Sequence, residues 1–318
     1  MCANNGLNIS YIYSIIDIHR TSHFHRITMS YNSPLIIDSF KFNYVVTKLR
    51  SFFHSKGFIE VHTQNRLSIL AACENPFSIA KFDYLNQIWP LPQTGQMWLE
   101  YELLTRPNVP GYFCVSTSFR QEQNPLPGRH DMIFPMFEFE LKGDLTELEN
   151  LERELLEHLG YGKKDSFPSG DYINVATEYG TKEIEHEHEQ RLYKEHGSAF
   201  FLRNFPEYTS PFWNMKRYDN CETAKKIDVI LSGMETIGSA ERSCDVADMR
   251  QRFHSIMDGA YAQTIYDKFG RDRVDAEMDE FMNSAFITRS GGGIGITRLI
   301  TSMSKEGLIP NDVLYKQE

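Results

Sequence analysis

Long apolar runs are missing from this sequence, and with them the usual means of crossing a membrane. No stretch approaches the roughly 20 apolar residues that a membrane-spanning helix needs. The mildly apolar start, LNISYIYSIIDI, lacks a basic first segment and a small-residue cleavage site, and Asp17 interrupts it. We therefore expect a cytoplasmic protein without a membrane partner. Residues 1–33 are expected to form a poorly ordered extension, and residues 34–318 one large folded domain.

Cysteine pairs and basic runs are also missing. The five cysteines form no CxxC motif, so a zinc site is not expected, and their odd number fits reduced thiols inside a cell. The net charge is −10, and no long run of lysine and arginine provides the basic stripe of a general nucleic-acid binder. Hydrophobic residues make up 41% of the 318, which is enough for a substantial core.

Two common phosphate-binding fingerprints are absent as well. The P-loop pattern GxxxxGK[ST] fails because no lysine follows the glycines near the end of the chain, and the dinucleotide pattern GxGxxG also fails. What is present is Gly291-x-Gly293-x-Gly295-x-x-Arg298, within SGGGIGITRLI. Such glycines let a strand pass close under a flat ligand, with the arginine of the next helix aimed at the same place. Taken alone, the pattern fits a glycine-rich turn before a core helix equally well.

A strand, a loop and a return strand carry a second unusual set of side chains. Arginine and glutamate two positions apart on a strand with a buried pattern are uncommon. Arginines suit phosphate oxygens, an aromatic ring suits a base, and a carboxylate can read an amino group, so the set suits a nucleoside triphosphate. The competing interpretation is a surface hairpin with ordinary charge pairs. Within FRQEQNPLPGRHDMIFPMFEFE, the residues concerned are Arg120, Glu122, Arg129, His130, Phe134, Glu138 and Glu140.

A third set lies in DVILSGMETIGSAER, where Asp228, Glu235 and Arg242 are spaced seven residues apart. On strands joined by a turn, two carboxylates can share a magnesium ion that bridges phosphates. The arginine can hold a substrate carboxylate through two parallel hydrogen bonds. The HEHE segment (residues 186–189) does not match HExxH, and its two histidines diverge on a helix. We therefore predict a solvated helix face there and no metal site.

Hydrophobic periodicity predicts helices and strands in an irregular order. No sequence repeat or low-complexity linker divides the chain. Because strands and helices do not alternate regularly, the pattern favours an α+β fold over a doubly wound sheet. We predict helices at 39–57, 94–104 with Thr94 as N-cap, 145–160, 180–196, within 245–283 and at 295–307, strands at 58–63, 111–122, 136–141, 199–205 and 226–236, and a loop at 64–92.

Together, the three sets resemble the motifs of class II aminoacyl-tRNA synthetases, specifically the aspartyl and asparaginyl branch. FRQE with RHDMIFPMFEFE resembles the second motif of that class, GGGIGITRL the third, and RSFFHSKGFIEVHT the first, which builds a dimer interface in the family. TGQMWLE resembles a segment that lines the amino-acid pocket, and EIEHEHEQ and FPEYTSPFWNMK resemble further segments of the branch. The likeness extends from Phe40 to Pro310. It implies an α+β catalytic domain with a mainly antiparallel sheet flanked by helices, and ATP and Mg²⁺ as cofactors.

The resemblance also implies roles in binding ATP. Arg120 would bind the α-phosphate and the activated carboxylate, and Glu122 would meet the adenine amino group. Phe134 would stack on one face of adenine and Arg298 on the other. The further ATP-binding residues implied are Arg129 and His130, at the outer phosphates, and Gly293 and Gly295, under the adenosine.

For the remaining ligands, Asp228 and Glu235 would hold magnesium, and Arg242 would grip a free carboxylate of aspartate. Arg120, Arg242 and Arg298 are the catalytic residues that the resemblance implies. The residues implied around the α-amino group are Thr94, Gln96, Glu138 and Glu74.

The sequence departs from the family pattern at three positions. Gln64 stands where the first motif normally ends in proline, which weakens the expectation of a dimer built on that motif. Ile133 stands where a glutamate precedes the stacking aromatic residue, and Thr297 stands where an acidic residue precedes the last arginine. The first two departures put the dimer contact and one ATP contact in doubt.

About 40 residues precede the first motif, too few for the anticodon-binding OB domain that synthetases of this branch carry, so we expect a free-standing catalytic domain. That organisation, together with Thr297, resembles ammonia-dependent asparagine synthetases, including archaeal relatives similar to asparaginyl-tRNA synthetase. The implied reaction converts ATP, L-aspartate and ammonia into L-asparagine, AMP and diphosphate, in a homodimer and without tRNA as a partner. Two alternatives stay open: transfer of the adenylate to another acceptor, such as tRNA or an amine, and a non-catalytic regulatory role. Which carboxylate of aspartate is activated also stays open.

Overall fold

The computed structural model describes residues 37–63, 67–70, 74–122, 131–219 and 222–310. The predicted domain boundary after residue 33 lies outside these residues and stays a prediction. The α-helices are α1 (Ser39–Ser55), α2 (Gln96–Thr105), α3 (Leu145–Leu159), α4 (Tyr172–Tyr179), α5 (His186–His196), α6 (Val246–Ser255), α7 (Ala260–Phe269), α8 (Arg271–Met282) and α9 (Ile296–Lys305). The strands are β1 (Ile59–Glu60), β2 (Lys81–Tyr84), β3 (Gln87–Pro90), β4 (Gly111–Phe119), β5 (Ile133–Lys142), β6 (Ser169–Asp171), β7 (Ala199–Pro206), β8 (Thr223–Leu231), β9 (Met234–Glu241) and β10 (Arg289–Gly295).

Helix α3 shows how the local sequence sets both ends of an element. The Asp144 side chain accepts a hydrogen bond from the Thr146 backbone N–H, and Glu147 accepts one from the Asp144 N–H, which completes a capping box. Leucines at helical spacing give the helix one buried face. The helix ends at Gly160, whose φ of 101° is readily reached only by glycine.

Eight strands form the central sheet, in the order β1–β4–β5–β10–β9–β8–β7–β6. Pairing is antiparallel except at the two edges, where β1 pairs with β4 and β6 with β7 in parallel. Strands β2 and β3 form a separate hairpin. The predicted α+β class, with a mainly antiparallel sheet flanked by helices, is therefore confirmed.

The two faces of this sheet differ in chemical character. In β5, Phe137, Phe139 and Leu141 belong to the largest apolar cluster, which also contains buried residues of α1, α3 and α9. Because side chains alternate along a strand, the intervening Glu138 and Glu140 face the other way. We refer to these as the apolar face and the polar face of the sheet.

Helices cover the polar face only in part. Helices α2, α6, α7 and α8 pack around the fully buried Trp213, whose ring N–H donates to the Leu70 carbonyl at 3.2 Å. Helices α4 and α5 pack with β7 and Ile230 of β8 in a smaller cluster. The uncovered part of the polar face lies over the middle strands.

The pairing of β8 with β9 contains one irregularity. The register shifts between Val229 and Ile230, and Thr236 is the extra residue in β9, as in a β-bulge. Ile230 pairs with Glu235 on the turn side of this shift. The turn itself, Ser232–Gly233, has positive φ at both residues, which is typical of a tight two-residue hairpin.

Most predicted elements are confirmed, and several predictions are wrong in detail. The strand predicted at 226–236 is a hairpin in which β8 and β9 are separated by the turn at Ser232–Gly233. The segment 64–92, predicted as loop, contains the β2–β3 hairpin. The helix predicted at 180–196 begins only at His186, and α4 was not predicted at all. The N-cap of α2 is Gly95 instead of Thr94, although the Thr94 hydroxyl accepts a hydrogen bond from the Gln96 backbone N–H at 2.9 Å and also donates to Glu138. Within the described part of the chain, no helix is both long and apolar enough to cross a membrane.

Candidate active site

A cleft of about 410 Å³ opens on the polar face of the sheet. It lies over the middle strands, with glycines of β9 and β10 in its floor. Of the residues predicted to bind ATP, Arg129 and His130 lie outside the described residues. The predicted site residues that line the cleft are Glu74, Arg120, Glu122, Phe134, Glu235, Gly293, Gly295 and Arg298.

The floor of the cleft is short of side chains because glycines meet there. Gly293 of β10 pairs with Glu138 on one side and with Gly238 of β9 on the other. A Cβ atom on the neighbouring Gly291 would lie 2.0 Å from a Glu140 carboxylate oxygen and 2.4 Å from the Phe139 carbonyl oxygen. Position 291 therefore requires glycine, because the Cβ atom of any other residue would overlap a backbone atom that cannot move aside.

Arg120 and Phe134 meet at one wall of the cleft. Arg120 directly follows β4, and its backbone N–H donates to the Met132 carbonyl at 2.8 Å. Its guanidinium carbon lies 5.3 Å from the centre of the Phe134 ring, a cation–π distance. Arg298, in the first turn of α9, donates from Nη1 to the Glu235 carbonyl at 2.7 Å. Arg120 thus lies against an aromatic ring, and Arg298 is held at a defined position in the same cleft.

A smaller pocket adjoins the cleft and is nearly filled by its own side chains, with about 10 Å³ of free space. Arg120, Gly238 and Gly293 line both cavities, so the two meet at Arg120. Such a volume holds about one water molecule, so a larger ligand requires movement of the walls. The predicted amino-acid-binding residues in this pocket are Thr94, Gln96, Glu138 and Arg242.

Glu138 is almost fully buried in this pocket and is surrounded by donors. The Gly95 backbone N–H donates to it at 2.8 Å, and the hydroxyls of Thr94 and Ser116 also donate to it. Burial raises the pKa of Glu138, and these hydrogen bonds oppose the rise. Four groups, including the more distant Cys114 thiol at 3.8 Å, hold the carboxyl group in one orientation.

Arg242 lies at the end of a buried chain of charged side chains. Its Nη2 is 3.3 Å from Glu140 Oε2, and its Nε is 3.8 Å from Glu100 Oε1. Arg289, fully buried behind it, donates from Nη2 to Glu100 Oε2 at 2.7 Å. The Gln96 amide donates to Glu140 as well. Two arginines and two glutamates balance, so the walls around Arg242 carry no net charge when all four are ionised.

Protonation of Glu140 disturbs this balance near neutral pH. Burial raises the pKa of Glu140 to about 7, with Arg242 opposing the rise and Glu100 adding to it. Below that pH Glu140 becomes neutral, and the group of charges around Arg242 becomes more positive by one unit. The charge of the pocket therefore depends on pH in the physiological range.

Asp228 and Glu235, the predicted metal ligands, lie on neighbouring strands. Glu235 lines the cleft, whereas Asp228 is nearly buried beside it, with Lys226 Nζ 2.6 Å from its Oδ2. Burial raises the pKa of Asp228 to about 7, which Lys226 opposes and the negative charge of Glu235 reinforces. Oδ1 of Asp228 is buried and has no hydrogen-bond partner among the described residues. A buried carboxylate oxygen without a partner, close to a second carboxylate, fits a hard cation such as Mg²⁺.

The HEHE segment differs from the predicted solvated face at one position. Glu189 is only 5% exposed, and the Glu235 backbone N–H lies 3.4 Å from its Oε2, so it lies behind the hairpin that carries Glu235. The described residues contain no cluster of three or more potential metal ligands, and the expectation of no metal site in this segment stays a prediction. The prediction was wrong about the burial of Glu189, because the pattern of charges along a helix does not reveal which turn of the helix faces a neighbouring strand.

The sequence did not single out several residues that the structure brings to the site. Lys226 lines the cleft, and Glu100 and Arg289 lie behind Arg242. A usable signal existed for Lys226, because it precedes Asp228 by two positions and a strand places such residues on one face. Glu100 and Arg289 come from distant parts of the chain, so only tertiary structure joins them.

Comparison with known proteins identifies the family and agrees with this fold. The family model of class II tRNA synthetases (D, K and N) matches residues 23–317. The chain is similar to the aspartate–tRNA(Asp) ligase of Pyrococcus abyssi, with 26% identity over 91% of this chain and 70% of that protein. It is also similar to the aspartate–tRNA(Asp/Asn) ligase of Methanopyrus kandleri, with 26% identity over 63% of this chain and 51% of that protein.

Solved structures show the same fold. One is the asparaginyl-tRNA synthetase of Pyrococcus horikoshii complexed with asparaginyl-adenylate, with a TM-score of 0.67 and 19% identity over 83% of this chain. Another is a putative aspartyl-tRNA synthetase of Leishmania major, with a TM-score of 0.63 and 18% identity over 82% of this chain. This chain spans 64% and 61% of those two chains, so their likeness to it concerns the catalytic fold. The family match and the fold together show that the chain belongs to the class II tRNA synthetases, in the aspartyl and asparaginyl branch.

Proposed function

We propose that this chain is an AMP-forming ligase that activates L-aspartate with ATP and transfers the acyl group to ammonia. The products are L-asparagine, AMP and diphosphate. The observation that carries the proposal is that Arg120 lines both the 410 Å³ cleft and the smaller pocket. A guanidinium at this junction can contact a nucleotide phosphate from one side and an amino-acid carboxylate from the other, where negative charge builds up during their reaction.

The cleft supports binding of the nucleotide. Phe134 offers a ring face to adenine, with Arg298 on the opposite face of the base, and Glu122 offers a carboxylate to the adenine amino group. Backbone without side chains at Gly293 and Gly295 lets the adenosine lie close to the sheet. For Arg129 and His130, contact with the outer phosphates rests on the family resemblance alone.

The smaller pocket supports binding of the amino acid. Arg242 would hold the carboxylate of aspartate that is not activated, in competition with Glu140, which already contacts it. The Glu138 carboxylate and the Thr94 hydroxyl, with Glu74 at the cleft side, would accept hydrogen bonds from the α-amino group. Gln96 would act through Glu140, to which its amide donates.

Magnesium fits the residues present. Glu235 and the buried Oδ1 of Asp228 would supply two carboxylate oxygens, and substrate phosphates and water complete the coordination that Mg²⁺ prefers. When bound, the ion neutralises charge on the phosphates.

Two balanced steps make up the proposed reaction. A carboxylate oxygen of aspartate attacks the α-phosphorus of ATP, the bond to the bridging oxygen breaks, and diphosphate leaves. Ammonia then attacks the acyl carbon of the adenylate, AMP leaves, and the nitrogen releases a proton to solvent. Adenylation is needed because a free carboxylate lacks a good leaving group, and Arg120 would stabilise the charge that develops on the α-phosphate. Asparagine forms only if the β-carboxylate is the one activated.

Transfer of an aminoacyl adenylate to tRNA is the second candidate. The relatives and structures similar to this chain are named as tRNA ligases and tRNA synthetases, which favours this reaction at least as well as amidation. The same names weigh against the expectation that tRNA is not a partner. In this case the α-carboxylate would be activated, and Arg242 would hold the β-carboxylate.

Incubation of the purified protein with ATP, Mg²⁺, L-aspartate and ammonium chloride tests the proposal. We expect AMP and asparagine to form in equal amounts, as measured by chromatography. Replacement of Arg120 by Ala should lower the rate by about 100- to 1000-fold, by analogy with the loss of one preorganised charge-stabilising donor. Arg106→Ala is the matched control, because the Arg106 side chain is 67% exposed and pairs only with Glu102 one helical turn away.

Two results would separate the candidates. Aspartate-dependent exchange of labelled diphosphate into ATP without asparagine, together with charging of tRNA, would replace amidation by aminoacyl transfer. Binding of ATP without diphosphate exchange for any of the 20 amino acids would leave the non-catalytic regulatory role.

We also propose that the chain forms a homodimer through α1 and β1, the elements that resemble the first class motif. Phe40 on α1 and Ile59 on β1 are 36% and 44% exposed, so both can contribute apolar area to such an interface. Light scattering coupled to size-exclusion chromatography should give twice the mass of the chain. Replacement of Ile59 by Asp should reduce that mass to one chain, and an unchanged mass would contradict the proposed interface.

A further inference from the structure

Lys226 is a cation of the cleft that the proposed reaction has not yet used. It lies on β8 opposite Ala240, on the polar face of the sheet, and lines the cleft. Its Nζ is 2.6 Å from Asp228 Oδ2 and 3.8 Å from the centre of the Phe205 ring. These contacts hold the ammonium group beside the nucleotide cleft.

The charges around the cleft show why a further cation matters. Among the described lining residues, the cations are Arg120, Lys226 and Arg298, and the acids are Glu74, Glu122, Asp131 and Glu235. Acids outnumber cations, although a nucleoside triphosphate carries several negative charges of its own. Every cation at the cleft therefore lowers the electrostatic free energy of the bound nucleotide.

The other two cations are committed to parts of the site that suit the base and the α-phosphate. Arg120 lies over Phe134 at the junction with the smaller pocket, and Arg298 is held by the Glu235 carbonyl. Lys226 instead lies next to Asp228, one of the two carboxylates suited to the metal ion that accompanies the outer phosphates. An ammonium group has three N–H donors, so it can serve Asp228 and a phosphate oxygen together.

We propose that Lys226 binds the outer phosphates of the nucleotide and that Asp228 orients its ammonium group for this contact. The inference rests on the proposed ATP-binding function and adds a residue to it. As the bond between the α- and β-phosphates breaks, negative charge accumulates on the departing diphosphate, and the lysine ammonium lies where it can stabilise that charge.

The preceding residue, Lys225, provides a matched control. It faces the opposite side of the same strand, where its Nζ lies 2.9 Å from a carboxylate oxygen of the buried Glu241. Lys216 also contacts Glu241, at 2.7 Å, so loss of Lys225 leaves that carboxylate paired. Lys225→Met and Lys226→Met therefore remove the same charge from neighbouring positions on opposite faces.

Calorimetric titration with ATP, inorganic diphosphate and AMP tests the proposal on the full chain. We expect Lys226→Met to weaken binding of ATP and diphosphate by about 10- to 100-fold, the usual range for a lost hydrogen bond to a charged group. Binding of AMP, which lacks the outer phosphates, should change less than about threefold in the same variant, and Lys225→Met should leave all three affinities within that range. Diphosphate binding of Lys226→Met in EDTA should also fall, because the lysine contact does not require the metal ion.

Several results would overturn the proposal. Unchanged ATP and diphosphate binding in Lys226→Met would show that the lysine only neutralises Asp228. An equal loss of ATP and AMP affinity would show a structural role. If Lys226→Met melts well below the wild-type protein, Lys226→Arg replaces it in the test, because arginine keeps the positive charge. Diphosphate binding by Lys226→Arg that is as weak as binding by a folded Lys226→Gln would also refute the proposal. Absence of ATP binding by the wild-type protein is a separate outcome, visible before any variant is compared, and it would refute the proposed function itself.

Discussion

The two faces of the central sheet contribute differently to the protein, even at positions where both are fully buried. Phe139 and Glu140 are neighbours on β5, and both are fully buried. Phe139 joins an apolar cluster, which stabilises the fold. Glu140 loses its hydration and regains only part of that free energy from Arg242 and Gln96. One strand thus stabilises the fold on one face and carries the candidate site on the other.

One side chain on the apolar side breaks this division. Glu152 belongs to α3 and is fully buried, and neither of its carboxylate oxygens has a hydrogen bond of ordinary geometry among the described residues. Burial raises the pKa of Glu152 to about 8, although the nearby Ser239 hydroxyl opposes the rise. This carboxyl group is therefore protonated at neutral pH, in contrast to the paired carboxylates of the polar face.

The apolar face is best tested at its centre. Phe139→Ala should lower the free energy of unfolding by about 3–5 kcal/mol, through lost burial and the cavity left behind. The shift of the midpoint of urea-induced unfolding measures this loss of stability. Phe82→Ala is the control, because Phe82 lies on the β2–β3 hairpin and is 39% exposed, so its loss should change the midpoint little. Equal effects of the two variants would contradict the assignment of Phe139 to the stabilising core.

The polar face should respond to change in activity more than in stability. A methyl group at Gly291 would overlap Glu140 and the Phe139 carbonyl, so Gly291→Ala should displace the wall around Arg242. A displacement of this kind costs about 100-fold in rate, which aspartate-dependent diphosphate exchange would measure. The neighbouring Ser290→Ala, on the apolar side of the same strand, should change exchange by less than about threefold, since it loses one hydrogen bond to a backbone carbonyl. A similar loss in both variants would show that β10 is simply intolerant of substitution.

Glu152 predicts a stability effect with a defined dependence on pH. The folded chain keeps a proton at Glu152 up to about pH 8, whereas an ordinary glutamate in the unfolded chain loses it near 4.5. The stability linked to this proton is complete below the unfolded value and is lost as the pH rises toward 8. Glu152→Gln should therefore stabilise the protein relative to the wild type, and by about 2 kcal/mol more at pH 6.5 than at pH 5. A stability difference that does not depend on pH would contradict a raised pKa for Glu152.

The smallest expected effect concerns aspartate binding. Because the pKa of Glu140 is about 7, its proton frees Arg242 for a substrate carboxylate as the pH falls. Aspartate should bind about tenfold more tightly at pH 6 than at pH 8. This is the change in affinity expected when binding requires the protonated form of one group whose pKa is about 7. Glu140→Gln should remove this dependence while Glu102→Gln, on the exposed side of α2, should keep it. Calorimetric titration across this range measures both.

The sequence predicts the polar and apolar faces better than it predicts the parts that cover them. MFEFEL alternates regularly, so its faces could be assigned directly. The β2–β3 hairpin was missed because Pro90 weakens the strand signal and because its turn uses Leu85 at positive φ instead of glycine. Helix α4 was missed because its β-branched residues, such as Ile173 and Val175, have low helix propensity, and packing on β7 compensates for that.

For the site, motif resemblance identified the side chains that line the cleft but not the residues that control their charge. Arg242 was predicted from its spacing, whereas its partners Glu140 and Glu100, and Arg289 behind them, emerge only when three separate segments come together. Charge state depends on burial and on all neighbours at once. No short pattern in the chain carries that information.

The extra residue in β9 has a consequence for which residues share the cleft. Seven is an odd number, so on a regular strand Glu235 and Arg242 would point to opposite faces of the sheet. Thr236 is an extra residue without a partner position on β8, so it does not count in the alternation of the strand. The effective spacing between Glu235 and Arg242 is therefore six, an even number, and both side chains point to the same face. Glu235 and Arg242 therefore lie on one face of the sheet because the irregularity takes up one of the residues between them. Regular pairing over the same spacing of seven would turn Arg242 to the face opposite Glu235, so the irregularity of this strand is part of the candidate site.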